Sequence, residues 1–338
     1  MKTIEELDEI LSTPSDDLVS DIKDLKGDIM ILGAAGKMGP SLAMLAQRAV
    51  DQSGTNKKVI GVSRFSNPET RKNLEDKGLE TITADLMNED DLSSLPEVEN
   101  VIYLVGNKFG TTENAGFTWA VNSYLPGRVA SKFSKSNIVV FSSGNIYPFL
   151  DIKIGGATES DLPMPIGEYA QSCLGRERVF EHFSKVNNTP TLLYRLNYAV
   201  DMRYGVLLEI AQSVKNNQPI DLTTGHVNVI WQGDANEIAV RSLKKCTSPS
   251  SVLNVTGPET ISIRWLAQQF GELLDNKPEF INEEQPTALL NNASKSHRLF
   301  GYPSVTLRQM IEWTAEWVLN DGSTLDKPTH FQQRKGKF

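Results

Sequence analysis

The sequence has few of the residues that build disulfide frameworks and metal centres. It contains two cysteines, Cys173 and Cys246, and four scattered histidines in 338 residues. None of these residues forms a C-x-x-C or an H-x-x-x-H pair. We therefore expect neither a disulfide framework nor a metal site, and the reducing cytoplasm is the expected compartment.

Long apolar runs and an excess of positive charge are missing as well. No stretch reaches the ~18 apolar residues of a membrane span, and the acidic start "MKTIEELDEILS" has no signal-peptide core. The formal net charge is −8, so neither nucleic acid nor an anionic membrane is an expected partner.

What the sequence does contain is a regular alternation of short apolar strands and amphipathic helices. Up to about residue 200, strands such as "DIMILG", "NVIYLVG" and "NIVVFSS" are separated by helical segments. This alternation predicts an α/β fold with a Rossmann-like, doubly wound parallel sheet. Beyond residue 200 the alternation loosens, which predicts a smaller C-terminal α/β substrate lobe.

The predicted organisation has four parts. A helical extension, residues 1–26, precedes a nucleotide-binding domain, residues 27–200. A substrate-binding lobe follows at 201–325, with some crossing of the chain between the lobes. The tail, residues 326–338, is polar and basic at its end, and we expect it to be loosely ordered.

The segment "ILGAAGKMG" predicts the phosphate-binding loop of a dinucleotide site. Gly33, Gly36 and Gly39 have G-x-x-G-x-x-G spacing, with Lys37 and Met38 between the last two. The loop follows the first strand and precedes a helix, whose free N–H groups and positive dipole end suit a pyrophosphate. Nucleotide binding at this loop is therefore the strongest prediction from the residues themselves.

The end of the second strand bears on which nucleotide binds. An NAD site usually has Asp or Glu there, about 20 residues beyond the loop, to bind the ribose 2′-hydroxyl. Here the strand "VIGVSR" ends in Ser63 and Arg64, a hydroxyl and a guanidinium that suit a 2′-phosphate. These residues favour NADP. In the alternative interpretation, Arg64 is a solvated surface residue and the site uses NAD.

Together with "FSSGNIYP" and "EYAQSC" further along, these segments resemble the extended short-chain dehydrogenases/reductases of the NAD-dependent epimerase/dehydratase family. The resemblance covers roughly residues 27–320. It implies that "ADL" contacts the adenine. The cofactor contacts expected beyond the glycine loop and second strand are Asp85, Leu86, Val105, Gly106, Asn122, Tyr169 and Asn197.

The same resemblance implies a catalytic serine and tyrosine but not the usual lysine. In the family, a Tyr hydroxyl exchanges a proton with the substrate oxygen, a Ser or Thr binds that oxygen, and a Lys four residues after the Tyr lowers its pKa. The matching residues are Ser143 and Tyr169, whereas Cys173 stands at the lysine position. Gly144 and Asn145 replace the acidic pair of many dehydratases, so the resemblance does not support elimination by two carboxylates.

Arg176 is a candidate replacement for the missing cation. It lies seven residues after Tyr169 and three after Cys173, on the same helical face, so its side chain can extend back toward the phenol or the ribose. Alternatively, Arg176 pairs with Glu177 or Glu181 or faces solvent. Cys173 is a reactive thiolate only if a cation lowers its pKa, and a small buried helix residue is the favoured interpretation.

Predicted substrate contacts come from several segments around the carboxyl ends of the strands. Ser143 and Asn145 follow the fifth strand, and Lys108 follows the fourth strand, where ligands bind in such sheets. Tyr198 lies where family members begin the substrate lobe, and Trp231 offers an aromatic face to a sugar ring. The alternatives are a solvated loop lysine and a core tryptophan.

Two functions remain open from the sequence. The first is an NAD(P)-dependent dehydrogenase, reductase or epimerase acting on a sugar or sugar derivative at a carbinol carbon, and the Ser143–Tyr169 pair favours it. The second is a nucleotide-binding sensor or partner subunit with little catalysis, which Cys173 favours. The resemblance also implies a homodimer, formed by the helices near 116–134 and 168–186, with Leu174, Val179, Phe180 and Phe183 available for the interface.

Overall fold

The computed structural model describes residues 1–108, 110 and 113–336. Phe109, Thr111 and Thr112 of the predicted loop after the fourth strand, and Lys337 and Phe338 of the tail, lie outside the described residues. None of the described helices is long and apolar enough to cross a membrane.

The main sheet has seven parallel strands and confirms the predicted doubly wound architecture. In spatial order these are β12 (Ser251–Val255), β7 (Thr191–Leu196), β5 (Asn137–Ser143), β4 (Asn100–Tyr103), β1 (Ile29–Leu32), β2 (Val59–Ser63) and β3 (Glu80–Thr83). The strand order reverses between β1 and β4, which creates the crevice where such sheets bind ligands. All four residues of β1 are buried because both faces of the sheet are covered.

The edge strand β12 is drawn from the predicted substrate lobe. It pairs in register with β7, for example Leu253 with Tyr194. The expected boundary at residue 200 therefore leaves out one strand of the sheet, and the chain returns to the nucleotide-binding domain after building part of the second lobe.

Helices cover both faces of the main sheet and build two separate apolar layers. The helices of the nucleotide-binding domain are α3 (Gly39–Ser53), α4 (Pro68–Glu75), α5 (Glu89–Ser94), α6 (Ala115–Trp119), α7 (Leu125–Lys132) and α8 (Gly167–Asn187). Between α6 and α7, Ala120–Tyr124 form a π-helical turn, so the single helix expected over 116–134 is interrupted. Residues of α3 pack on one face of the sheet, and residues of α7 and α8 pack on the other.

The second lobe has its own apolar core. Its helices are α9 (Val206–Lys215), α10 (Gln232–Arg241), α11 (Ile263–Leu274), α12 (Ser294–Phe300) and α13 (Leu307–Leu319). Short two-stranded pairs accompany this core: β8 (Ala199–Val200) with β11 (Ile230–Trp231), β9 (Ile220–Asp221) with β14 (Phe280–Ile281), β10 (His226–Val227) with β13 (Ile261–Ser262), and β6 (Leu150–Asp151) with β15 (Thr287–Ala288). Leu207, Leu266 and Ile311 bring α9, α11 and α13 together in this core.

Both ends of the chain are packed against these two bodies. The predicted N-terminal extension forms α1 (Ile4–Leu11) and α2 (Asp16–Asp24), whose Leu7 and Leu18 are fully buried in the two different cores. The expectation of a loosely ordered tail is wrong for its described part, since Thr329 and Phe331 are only 1% and 2% exposed. The reason is that apolar and hydrogen-bonding partners for this polar tail come from distant parts of the chain.

Candidate active site

The glycine loop lies between β1 and the start of α3, as the sequence predicts. Gly33 has φ +97°, a left-handed conformation that favours glycine. At Gly39 a Cβ would lie 2.5 Å from the carbonyl oxygens of both Gly33 and Ala34, so only glycine fits. The loop is closed by the Gly36 N–H, which donates to the carbonyl of Gly33 (2.9 Å). Met38 packs against the apolar core on this side of the sheet.

A cavity of about 560 Å³ opens beside this loop, at the carboxyl ends of β1 to β4. It brings together many of the predicted cofactor residues: its lining includes Gly33, Gly36, Ser63, Arg64, Asp85, Leu86, Val105 and Gly106. Phe65, Thr70 and Met87 also line it and were not predicted, because residues in the loop after a strand or in the first turn of the next helix show no distinctive spacing. The size is that of an ordinary small-molecule pocket.

The side chain of Arg64 is available to contact a ligand in this cavity. Its side chain is exposed, and it forms no ion pair or hydrogen bond with other residues that the structure describes. Ser63, at the end of β2, is half-buried beside it. A guanidinium at this position is available to an anionic group on the ribose.

Asn122 does not line the cavity, but its hydrogen bonds connect the segments next to it. It is fully buried, and its amide accepts from the N–H of Asn107 (2.8 Å) and donates to the hydroxyl of Ser172 on α8 (2.9 Å). It thereby ties the loop after β4 to the helix that carries Tyr169. Its position in a π-helical turn allows this inward reach, and such turns occur frequently at functional sites.

Arg176 also points inward, and it pairs with neither of the carboxylates considered from the sequence. Its Nη1 donates to the carbonyl of Phe141 (2.6 Å) and its Nη2 to Oδ1 of Asn122 (2.9 Å). Only 5% of Arg176 is exposed, and it forms no ion pair with a carboxylate within the described part of the chain. The guanidinium is so close to the backbone of Gly106 that a Cβ there would lie 2.5 Å from Nη2. A buried cation therefore lies directly behind the site.

The predicted catalytic residues meet at the start of α8. The Tyr169 hydroxyl is hydrogen-bonded to both Ser143 and Cys173. Burial raises the pKa of Tyr169 far above its usual range and the neighbouring Cys173 raises it further, while Arg176 and the bond to Ser143 act in the opposite direction. Tyr169 is therefore protonated at neutral pH.

Cys173 is a buried neighbour of that phenol rather than a reactive thiolate. It is 1% exposed and packs with Ile146, Tyr147 and Ala157. Burial raises the pKa of its thiol, although Arg176 opposes the shift. The favoured interpretation of Cys173 as a small apolar helix residue agrees with this position.

A buried ionic network beneath the site was missed by the sequence analysis. Glu177 on α8 accepts from Arg195 Nη2 on β7 (2.7 Å) and from the hydroxyl of Ser142 (2.6 Å), directly before Ser143. Arg195 Nη1 also donates to the hydroxyl of Tyr147 (2.5 Å). Glu177 and Arg195 are 18 positions apart on different elements, so their pairing has no local signal. The network fixes the end of β5, where Ser143 lies.

Two lysines approach the cleft from the nucleotide-binding domain. Lys37 Nζ donates to the carbonyl of Ala199 (3.0 Å) and lies 3.5 Å from the centre of the Tyr204 ring. Lys108 Nζ is 3.4 Å from the Tyr204 hydroxyl. Burial lowers the pKa of Lys37 to about 7 and that of Lys108 to about 8. Lys37 thus connects the glycine loop to the second lobe.

The predicted substrate residues divide into two groups. Asn145 and Tyr198 line one small space on the substrate side of the cleft. Trp231 does not line this space. It is 1% exposed in the core of the second lobe, where its ring lies 5.5 Å from that of Trp313 on α13. Asn197, predicted to contact the cofactor, is likewise 2% exposed and bonded to Asn228 (2.7 Å).

No arrangement of three or more His, Cys, Asp or Glu side chains suited to a metal ion occurs among the described residues. No protein-family model matches the chain, and a comparison with characterised proteins gives no significant sequence match. Solved structures, in contrast, match it over most of its length.

Several of these structures are UDP-sugar 4-epimerases. UDP-glucuronic acid 4-epimerase from Bacillus cereus, solved with UDP-glucuronic acid and NAD, has a TM-score of 0.71 at 18% identity and covers 86% of this chain and 99% of that chain. UDP-glucose 4-epimerase from Thermotoga maritima, solved with UDP-glucose, has a TM-score of 0.72 at 15% identity, covering 87% and 99%. UDP-N-acetylglucosamine 4-epimerase from Bacillus cereus scores 0.67 at 17% identity, covering 88% and 100%. The chain therefore has the fold of these epimerases, the fold implied by its resemblance to the extended short-chain dehydrogenases/reductases.

Proposed function

We propose that this chain is a nicotinamide-dependent enzyme that acts on a nucleotide-linked sugar at a carbinol carbon, as an epimerase or an oxidoreductase. The observation that carries the proposal is the hydrogen-bonded Ser143–Tyr169 pair at the carboxyl edge of the sheet, beside the nucleotide cavity. The structural neighbours, which are 4-epimerases of UDP-sugars, support this class of substrate.

The residues present fit a dinucleotide. The glycine cradle has no room for a Cβ at Gly39, as expected where backbone must approach a pyrophosphate. Asp85, Leu86, Ser63 and Arg64 surround a cavity suited to the adenosine end. When bound, the nicotinamide would exchange a hydride with the carbon that carries the reacting hydroxyl.

The chain's own residues would then transfer the proton to or from the substrate oxygen. Ser143 holds the substrate oxygen and orients it toward Tyr169, whose hydroxyl donates or accepts the proton. Because its pKa is raised, Tyr169 keeps its proton at neutral pH; it is in the form that can donate to a carbonyl oxygen, although as a weak acid, and must lose that proton before it can act as a base. Arg176 is the buried cation that partly offsets this shift, in place of the lysine that the sequence lacks.

Exchanging the residue at position 173 tests the catalytic assignment. Cys173→Lys should place a cation beside Tyr169, lower the pKa of the phenol and raise kcat for UDP-glucuronic acid or UDP-glucose on the order of tenfold. Cys173→Ala is the matched control, because it removes the thiol without adding charge. If NAD binds to all three forms and none turns over any UDP-sugar, the enzyme proposal fails and the chain is a nucleotide-binding subunit.

The choice of nucleotide is tested at Arg64. We propose a preference for NADP, supported by the exposed guanidinium at the end of β2; the neighbours solved with NAD provide no support for this preference. Arg64→Ala should weaken NADP binding roughly tenfold and leave NAD binding nearly unchanged in calorimetry. Equal losses for both nucleotides would contradict the assignment.

We further propose a homodimer formed by α8 and the helices before it. Tyr124 and Val186 on these elements are 62% and 61% exposed, so apolar side chains are available there for an interface. Phe180, expected at the interface, instead lies in the core at 1% exposure. Light scattering of the chain should give twice the monomer mass, and Tyr124→Asp should lower it.

A further inference from the structure

The C-terminal segment 327–336, here called the C-terminal strap, lies across the substrate side of the cleft. Its first anchor is Thr329, whose N–H and hydroxyl both donate to the Glu209 carboxylate on α9. The Thr329 carbonyl faces Lys108 Nζ (3.3 Å) on the nucleotide-binding domain. Phe331, 2% exposed, is buried in the core of the second lobe. The strap is therefore held by both lobes.

The end of the strap is anchored on the opposite wall. Arg334 Nη1 donates to the carbonyl of Thr287 (2.8 Å), and its guanidinium lies 4.1 Å from the centre of the Phe149 ring. Gly336 packs so closely on the residues before α8 that a Cβ there would lie 2.3 Å from the carbonyl oxygen of Ile166. This contact is three residues before Tyr169, so the strap ends at the entrance to the catalytic helix.

The space that the strap leaves beside the predicted substrate residues is very small. Asn145, Tyr198, Gln333 and Gly336 surround a cavity of about 20 Å³. That volume accommodates one water molecule, whereas pockets that bind small ligands measure roughly 300–1,000 Å³. The nucleotide cavity on the other side of the site, at about 560 Å³, is not lined by the strap. The strap therefore leaves the nucleotide cavity open, but it leaves no room for a sugar beside Asn145.

We propose that the C-terminal strap is an autoinhibitory element that occupies the sugar pocket and must be displaced before substrate binds. The proposal rests on the proposed function for the identity of the displacing ligand, and on the contacts of Thr329, Arg334 and Gly336 for the docked state. Cofactor binding is independent of the strap. The strap therefore controls the apparent affinity for the sugar substrate alone, since a site that is only fractionally open binds its ligand more weakly by that fraction.

The first experiment adds the strap in trans. A chain that ends at Asp326 is mixed with a fluorescein-labelled peptide of residues 327–336, and binding is followed by polarisation with NAD present. We expect the peptide to bind the shortened chain, to bind the full chain at least tenfold more weakly, and to be displaced by UDP-glucuronic acid or UDP-glucose. Failure of the peptide to bind, or binding that neither UDP-sugar displaces, overturns the proposal.

Point variants keep the proposal testable if the shortened chain does not fold. Arg334→Ala and Gly336→Ala should each lower the KM for the UDP-sugar roughly five- to tenfold, with the Kd of NAD unchanged. Lys335→Ala is the matched control, because this exposed neighbour makes no side-chain hydrogen bond or ion pair with the described residues and should leave KM unchanged. A higher KM in Arg334→Ala would show that the strap forms part of the pocket and would overturn autoinhibition. If a UDP-sugar displaces the peptide but no form of the protein turns the sugar over, autoinhibition by the strap is supported and the proposed reaction is refuted.

Discussion

Glu177→Gln should destabilise the protein strongly, because it leaves a buried arginine without its counter-charge. The side chains of Arg195 and Glu177 are 4% and 0% exposed, and they are joined at 2.7 Å and 3.0 Å. Removing one partner of such a buried pair costs about 3–5 kcal/mol of unfolding free energy. The Ser142 hydroxyl and the Tyr147 hydroxyl, both bonded into this pair, would lose their alignment as well.

The expected shift in Tm follows from the length of the chain. At about 2.1 cal/mol/K per residue, 338 residues have an unfolding entropy of roughly 0.7 kcal/mol/K. The loss of 3–5 kcal/mol then corresponds to a decrease in Tm of about 4–7 °C, measured by circular dichroism. Ser142, which is bonded to Glu177, directly precedes the predicted catalytic residue Ser143. Turnover by the protein that remains folded should therefore fall as well.

Two further variants show whether the effect comes from the buried charge. Glu181→Gln, on the same helix, breaks a pair with Arg178 whose side chains are 31% and 55% exposed, and it should change Tm by less than about 1 °C. The double variant Glu177→Gln, Arg195→Met should be more stable than Glu177→Gln alone, because no unpaired charge remains. A Tm of Glu177→Gln equal to that of Glu181→Gln would refute the reasoning.

Three other predictions concern the loop and the buried titratable groups. Gly39→Ala should lower NAD affinity at least ~tenfold in calorimetry, because its Cβ would lie 2.5 Å from two loop carbonyls. Gly116→Ala is the control: a Cβ there would meet nothing within 4 Å, so NAD affinity should not change. Burial lowers the pKa of Lys37 to about 7, so the unfolded chain binds more protons than the folded chain between pH ~7 and ~10.4, and stability rises with pH across that window. Lys37→Met should therefore raise Tm at pH 6.5 and have little effect near pH 10; the reverse order would contradict the shift. Burial raises the pKa of both thiols, that of Cys246 to about 12, so native Cys173 and Cys246 should resist iodoacetamide at pH 8, as followed by mass spectrometry, until the chain unfolds.

The sheet and the nucleotide loop could be predicted because their signals are local. A buried parallel strand is a short apolar run, and the glycine spacing of the loop is constrained by contacts within a few residues, as Gly39 shows. The same is true of Ser143 and Tyr169, which lie at the end of a strand and the start of a helix. The place of strand β12 in the main sheet, in contrast, depends on pairing with β7, about 60 positions earlier in the chain.

The differences between expectation and structure concern side chains whose partners come from distant parts of the chain. Trp231, at the end of a short strand, is equally compatible with a pocket wall and with a core; contact with Trp313, 82 positions later, places it in the core. Asn197 is bonded to Asn228 from another segment. The strap was misjudged for the same reason, since its composition is polar while Glu209 and Thr287, which hold it, belong to the second lobe.

The absence of a lysine at position 173 has a consequence for the direction of the reaction. Positive charge is still present near Tyr169, but it is carried by Arg176, whose hydrogen bonds are committed to Phe141 and Asn122. Burial outweighs the effect of that cation, so the pKa of Tyr169 is raised and the phenol keeps its proton. Donation to a substrate carbonyl therefore starts from the populated form of the tyrosine, whereas oxidation of a substrate hydroxyl has to begin with a tyrosine that has lost its proton.

This asymmetry should be visible in pH profiles of the proposed reaction. Because more Tyr169 loses its proton as pH rises, the reduction of NAD by a UDP-sugar, followed at 340 nm, should speed up continuously from pH 7 to pH 10. In the opposite direction the rate should be nearly constant over that range, since the tyrosine stays protonated. Cys173→Lys should bring the oxidative profile to a plateau at lower pH, whereas Cys173→Ala should not, because only the former adds a cation. A plateau below pH 8 in the native protein would mean that Arg176 compensates fully for the missing lysine, and the inferred difference in pH dependence between the two directions would be wrong.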